Sequence, residues 1–248
     1  VHPDDPWDAG ARSPIIGGPV CTRTAERSLR VCLLPGGSRV CSFDCVYCAF
    51  ARGGRRPEWP RPGDIGAAVA NALYREPEVE SITISGRGEP TLHPAFGLAL
   101  GNVLSARRAR SDLGVRIATN GETLLSPRVR RLLELADERI VRVDAGGERI
   151  ARPSGRARPG AILAGLALLS DFSVESVFVE GSGGNVDADS IDAWLELVGE
   201  LRPARVYVTT VAGAPAEDAG VRAASSATLE AIALQLRERT GLPVTVIA

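Results

Sequence analysis

The sequence predicts an α/β fold of parallel strands joined by helical crossovers, on three grounds. Short alternating or apolar runs trade places with helix-like stretches along most of the chain. The 248 residues, 44% apolar and 24% charged, suit one large globular domain. No internal repeat and no strong linker divides the chain.

The elements follow in order. Residues 1–20, rich in Pro, Asp and Gly, predict a tail or loosely docked strap, which leaves 21–248 as the domain. Strand-like runs lie at Ser28–Leu34, Ser81–Ser85, Val115–Thr119, Ile140–Asp144, Val174–Glu180 and Arg205–Thr210. Helix-like stretches stand near 64–76, 96–109, 126–136, 160–170, 187–201 and 226–238. A last strand, Pro243–Ile247, closes an edge. Strict alternation of this kind implies right-handed crossovers between parallel strands.

Strand parity divides the side chains between two faces. Leu29, Val31, Ile82, Ile84, Val141, Val143, Val177, Val179, Val206 and Val208 belong against helices. Arg30, Cys32, Thr83, Ser85, Arg142, Asp144, Phe178, Glu180, Tyr207 and Thr209 then face the other way. Burying so many polar groups unpaired would cost roughly 1–3 kcal/mol each, so that face is expected to be wet and filled by ligand.

All 29 basic residues are Arg, and 30 acidic residues bring the net charge to −1. A GC-rich genome is a sufficient cause for the absence of lysine. Its chemical consequence is that Schiff-base and phosphate-loop lysine chemistries are disfavoured. The N-terminus is acidic and lacks a signal-peptide pattern, and no apolar run approaches the roughly 18–20 residues of a membrane span. A cytoplasmic protein with no membrane partner is expected. Arg52, Arg55, Arg56 and Arg61 make the best basic cluster for an anionic substrate or a reductase. The clusters at 107–110 and 128–131 read as solvated helix faces, and the charge balance argues against a nucleic-acid partner.

Five cysteines fall in the first fifth of the chain: Cys21, Cys32, Cys41, Cys45 and Cys48. An odd, crowded set is a poor disulfide framework. The last three form Cys41-Ser-Phe-Asp-Cys45-Val-Tyr-Cys48, a C-x3-C-x2-C group. A structural zinc site takes four protein ligands, whereas three close thiolates suit an iron–sulfur cluster with one iron left open.

With an aromatic just before its last Cys, this loop resembles the cluster loop of the radical S-adenosylmethionine (SAM) superfamily. The resemblance implies a partial (β/α)6 barrel, and Cys41, Cys45 and Cys48 as ligands of a [4Fe–4S] cluster. It implies that the open iron chelates SAM, whose reductive cleavage gives a 5′-deoxyadenosyl radical. Tyr47 would pack near the adenine. After the strand Ser81–Ser85, the run Gly86-Arg87-Gly88-Glu89-Pro90 resembles the Gly-Gly-Glu-Pro motif of that superfamily, so Gly88 and Glu89 would meet the amino group of SAM. Thr119, Asn120 and Asp144, at C-terminal strand ends, resemble positions near its ribose and methionine. Asp144 has a helix N-cap as its other reading, and His93 reads as an acid–base group or, more simply, a structural histidine.

The similarity extends to the wyosine-synthetase-like branch, over roughly residues 17–215, from Gly17-Gly18-Pro19-Val20 through Thr119-Asn120-Gly121, Asp144-Ala145-Gly146 and Arg152-Pro153 to a weaker match at Phe178-Val179-Glu180-Gly181. Members of that branch that modify tRNA hold pyruvate with lysine and carry three further cysteines upstream; this chain has no lysine and only Cys21 and Cys32 there. These two are either ordinary buried thiols or ligands of an auxiliary iron–sulfur cluster that donates sulfur, with catalytic roles for both. The expected activity is hydrogen abstraction from a small-molecule biosynthetic substrate, with sulfur insertion as an extension. The expected partner is an electron donor such as flavodoxin or ferredoxin. A tRNA-modifying enzyme and a non-catalytic, metal-stabilised binding module are the alternatives.

Overall fold

The computed structural model describes residues 15–21, 26–34, 40–48, 59–211 and 220–247. Strand β1 (Ile16–Cys21) pairs antiparallel with β2 (Arg27–Val31). Then come α1 (Pro62–Arg75), β3 (Ser81–Ile84), α2 (Phe96–Arg107), β4 (Gly114–Thr119), α3 (Pro127–Leu133) and β5 (Glu138–Arg142). The short α4 (Ala151–Ser154) precedes α5 (Pro159–Leu166), β6 (Ser173–Val177) and β7 (Val179–Gly181). Last are α6 (Ala188–Leu201), β8 (Arg205–Thr209), β9 (Val221–Ala223), α7 (Ser226–Thr240) and β10 (Val244–Ile247).

Among the described residues one sheet has the order β1-β2-β3-β4-β5-β6-β8-β10. The pairs β2–β3, β3–β4, β5–β6, β6–β8 and β8–β10 are parallel. The expected alternation of strand and helix therefore holds, and the C-terminal strand closes an edge as expected. The boundary expected after residue 20 instead falls inside β1, because Ile16 and Gly17 pair with Val31 and Arg30.

The chain has two compact units. One comprises Val1–Cys41, Phe50–Thr119 and Arg131–Arg139. In it, Pro62 starts α1, whose stripe Ile65, Val69 and Leu73 is buried, as are Phe96, Leu100 and Val103 of α2. Leu29, Val31, Ile82, Ile84, Val115 and Ile117 fill the strand side of this core. The basic residues ending α2 are tied down: Arg107 donates to Leu113 O at 2.7 Å and to Asp137 Oδ2 at 2.9 Å, and Arg110 donates to Pro77 O and Val79 O.

The other unit comprises Ser42–Ala49, Asn120–Arg130 and Ile140–Ala248. Asp187 and Ser225 cap α6 and α7 by accepting from Ser190 N and Thr228 N. Trp194 on α6 donates to Val143 O at 3.1 Å and Ser176 Oγ at 2.9 Å, and meets Phe178 edge-on at 5.1 Å. These contacts correct the parity expected for this strand. Val174 and Ser176 turn toward the helix, Glu175 faces the other way, and Phe178 packs with Trp194. Val174, Ser176 and Phe178 thus share one parity, and only after Val177 does the chain leave β6 for β7, which pairs with β9, antiparallel. Asn185 fixes that break, accepting from Val179 N and donating to Val177 O at 2.8 Å and Asp144 O at 2.6 Å.

Candidate active site at the cysteine loop

The cysteine loop is held by residues other than its thiols. At its start Val40 bridges to Gly88, and Glu89 N donates to Val40 O at 2.9 Å. A Cβ on Gly88 would lie 1.8 Å from Val40 O, and its φ is +149°, so the missing side chain there admits the loop backbone. Further along, Phe43 is buried, Asp44 N donates to Ser154 O, and Val46 N donates to Pro153 O. Ser42 Oγ accepts from Asn120 Nδ2 at 2.9 Å. Cys41, Cys45 and Cys48 form no disulfide among the described residues and are partly exposed.

A polar chain runs beside Cys45. The Tyr47 hydroxyl donates to Asp144 Oδ2, and Asp144 Oδ1 accepts from Val177 N at 2.8 Å. Arg142 Nη2 donates to Glu175 Oε2 at 2.7 Å, and its Nη1 reaches the Tyr47 oxygen at 3.5 Å. Burial pushes the Asp144 carboxyl up to about 6, against the pull of Arg142 and of the Tyr47 hydroxyl. Burial and the Asp144 charge push the Cys45 thiol up to about 12, and raise the Tyr47 hydroxyl as well. Burial alone would weaken the Arg142 guanidinium, but Glu175, Tyr47, Asp144 and Cys45 together outweigh it and hold the charge firmly.

The other expected cofactor residues lie at strand ends and are bonded locally. Glu89 is buried; its Oε1 accepts from Thr91 N at 3.1 Å, Thr91 Oγ1 at 2.6 Å and Thr119 Oγ1 at 2.8 Å. Asn120, also buried, accepts from Glu122 N at 3.1 Å. Asp144 is no helix cap; it joins β6 to the cysteine loop through Val177 and Tyr47. His93 is structural: its Nδ1 accepts from Ala95 N, leaving Nε2 to donate to Pro60 O at 3.1 Å, and Trp59 lies edge-on to the ring. Sequence reasoning missed Ser42 and Glu175. Ser42 carries no signal beyond lying next to Cys41, whereas counting parity from Val174 rather than Val177 would have found Glu175.

Cys32 lies in apolar surroundings. It is 1% exposed, packs with Leu34, Val40 and Trp59, and its Sγ contacts Leu34 O at 3.8 Å. Burial raises its pKa, so little of it is thiolate at neutral pH. The Cys21 side chain lies outside the described residues, as do Arg52, Arg55 and Arg56.

The three loop thiols fit a polynuclear cluster. Soft thiolates suit iron–sulfur ligation, and the cationic iron core of a cluster would relieve the desolvation penalty that keeps Cys45 protonated. Among the described residues no three His, Cys, Asp or Glu side chains converge as donors to a single ion. A cluster does not require that convergence, because each thiolate binds its own iron.

A family model described as the Radical SAM superfamily matches residues 37–198. The chain belongs to this superfamily. Its fold is the α/β partial barrel, and the family implies a [4Fe–4S] cluster and SAM. The UPF0026 protein slr1464 of Synechocystis sp. is 29% identical over 208 residues, covering 79% of this chain and 74% of that protein. A UPF0026 protein of Helicobacter pylori strain J99 is 26% identical over 209 residues, covering 80% of this chain and 66% of that protein. This chain thus spans about two thirds to three quarters of these relatives. Among solved structures, TYW1 with a lysine-pyruvate adduct bound has a TM-score of 0.62 at 15% identity, covering 86% of this chain and 74% of that one. Streptococcus suis SuiB bound to S-adenosylmethionine has a TM-score of 0.63 at 15% identity, covering 85% of this chain and 49% of that one. At such identity these two likenesses establish the fold. Among the described residues no helix is long and apolar enough to cross a membrane.

Proposed function

We propose that this protein is a cytoplasmic radical SAM enzyme acting on a small-molecule biosynthetic substrate, with Cys41, Cys45 and Cys48 as ligands of its [4Fe–4S] cluster. The observation that carries the reading is the clamped three-cysteine loop inside a segment matched by the superfamily model. Held by Cys41, Cys45 and Cys48, the cluster would supply the one electron for reductive cleavage of SAM to methionine and a hydrogen-abstracting 5′-deoxyadenosyl radical. Gly88, Glu89 and Thr119 form the edge where the SAM amino group is received. Thr119 and Thr91 fix the Glu89 carboxylate by hydrogen bonds, which orients it without reorganisation. Tyr47 packs near the adenine. Asn120 and Asp144 act next to SAM chiefly by holding Ser42 and Tyr47 in place.

The absence of lysine separates this chain chemically from a protein that carries a lysine-pyruvate adduct, and the charge balance supports a small substrate over tRNA. Sulfur insertion from a second cluster at Cys21 and Cys32 has less support, because Cys32 is enclosed by apolar neighbours and Gly86. A flavodoxin- or ferredoxin-type donor supplies the electron.

Anaerobic reconstitution followed by dithionite and SAM tests this reading. About four irons per chain, with methionine and 5′-deoxyadenosine formed above background, is the expected result. Iron binding without SAM cleavage would leave a metal-stabilised binding module. Salt-sensitive, high-affinity tRNA binding would overturn the small-substrate reading.

A further inference from the structure

Two opposite charges stand next to the cysteine loop and are not accounted for by SAM binding. Arg142 on β5 and Glu175 on β6 are directly opposite in the parallel register, with Tyr207 of β8 opposite Glu175 in turn. The salt bridge is 2.7 Å long, and its side chains are only 28% and 26% exposed. Removing two charges this far from water is costly, and an apolar cross-strand pair would stabilise the sheet at least as well. The second Arg142 nitrogen approaches the Tyr47 oxygen, and Tyr47 lies between Cys45 and Cys48 in sequence.

We propose that Arg142 and Glu175 are an opposed charge pair that sets the reduction potential of the cluster bound through Cys45. Arg142 eases the uptake of one electron, Glu175 resists it, and Tyr47 holds the guanidinium at the loop. The physical basis is Coulomb's law in a partly desolvated site: each added electron brings a negative charge that a nearby cation stabilises and a nearby anion opposes. Both residues are positioning and tuning groups rather than catalytic ones, and the proposal rests on the reading of the three cysteines as cluster ligands.

The test is a potentiometric titration of the reconstituted protein followed by electron paramagnetic resonance, with dithionite as the one-electron donor and mediator dyes present. Arg142→Gln is expected to move the midpoint to more negative potential, and Glu175→Gln to more positive potential. The double variant should return close to the parent value. Opposite signs distinguish charge tuning from structural damage, which would displace both variants in one direction. If Arg142→Gln does not fold, Glu175→Gln and the charge-preserving Arg142→Lys carry the test: the first shifts upward and the second stays near the parent. Parental iron content with unshifted, or same-sign, midpoints overturns the proposal alone. A parent protein that binds no iron overturns the cluster reading, and this proposal with it.

Discussion

Gly155 makes room for the carbonyl oxygen of Asp44: a Cβ built on Gly155 would lie 2.4 Å from it. The residue also has φ +64° and ψ −102°, a conformation that L-residues rarely adopt. Two bonds to the loop come from the residues just before it, Pro153 O and Ser154 O. Gly155→Ala should therefore cost about 1–3 kcal/mol in backbone strain alone, and the clash should displace the loop around Cys45. Thermal unfolding should show a lowered Tm, and iron content after reconstitution should fall. A protein with parental iron content would show that this clamp is not needed for the loop.

Cys32 gives a second prediction. Its thiol is enclosed and its pKa is raised by burial, so alkylation by iodoacetamide should be slow at neutral pH and speed up on unfolding. Because the shift is upward, the labelling rate should rise with pH beyond the range where an ordinary thiol has levelled off. Cys32→Ala should retain the parental number of irons and lose about 1 kcal/mol of stability, the scale of a small buried group. Loss of iron in that variant, measured by mass spectrometry of the metal, would support the auxiliary-cluster reading.

Much of this molecule was legible because its signals are local. The C-x3-C-x2-C spacing, the glycine turn after Ser81–Ser85 and the alternation of Leu29, Val31, Ile82 and Ile84 each need only neighbouring residues. They led to the loop, the strand ends and the core. The errors arose where a tertiary contact overrides a local pattern. Val177 and Val179 look like the helix-facing residues, but Trp194 takes Ser176 and Phe178 on that side, and Asn185 holds the break between β6 and β7. Residues 16–20 looked like tail because an edge strand is specified by its partner rather than by its own alternation.

Glu122 follows Gly121 at the end of β4 and keeps one buried oxygen, Oε2, without a hydrogen-bond partner among the described residues. Its Oε1 accepts from Arg158 Nε at 2.5 Å, although the Arg158 side chain is 72% exposed. Leaving such an oxygen unpaired costs roughly 1–3 kcal/mol. Glu122→Gln removes the charge while keeping an acceptor for Arg158, so its stability should match or exceed that of the parent. Arg158→Ala strands the carboxylate and should be the more destabilising change. Urea denaturation of both variants checks the ranking, and the reverse order would mean that the charge itself is structural.

Asn185 spends its whole side-chain amide on three backbone groups. Oδ1 takes Val179 N, and Nδ2 reaches both Val177 O and Asp144 O. The residue is 1% exposed, so water cannot take over these bonds freely. Asn185→Ala should cost roughly 3 kcal/mol or more, at about 1 kcal/mol or above for each group left unpaired. The damage should not stay local, because the Asp144 backbone loses a partner while its side chain holds Tyr47. Tyr47 fluorescence is masked by the three tryptophans of the chain, so amide hydrogen exchange is the better measure. Faster exchange at Val179 and along the cysteine loop is expected. Faster exchange at Val179 alone would mean that Asp144 holds Tyr47 without help from Asn185.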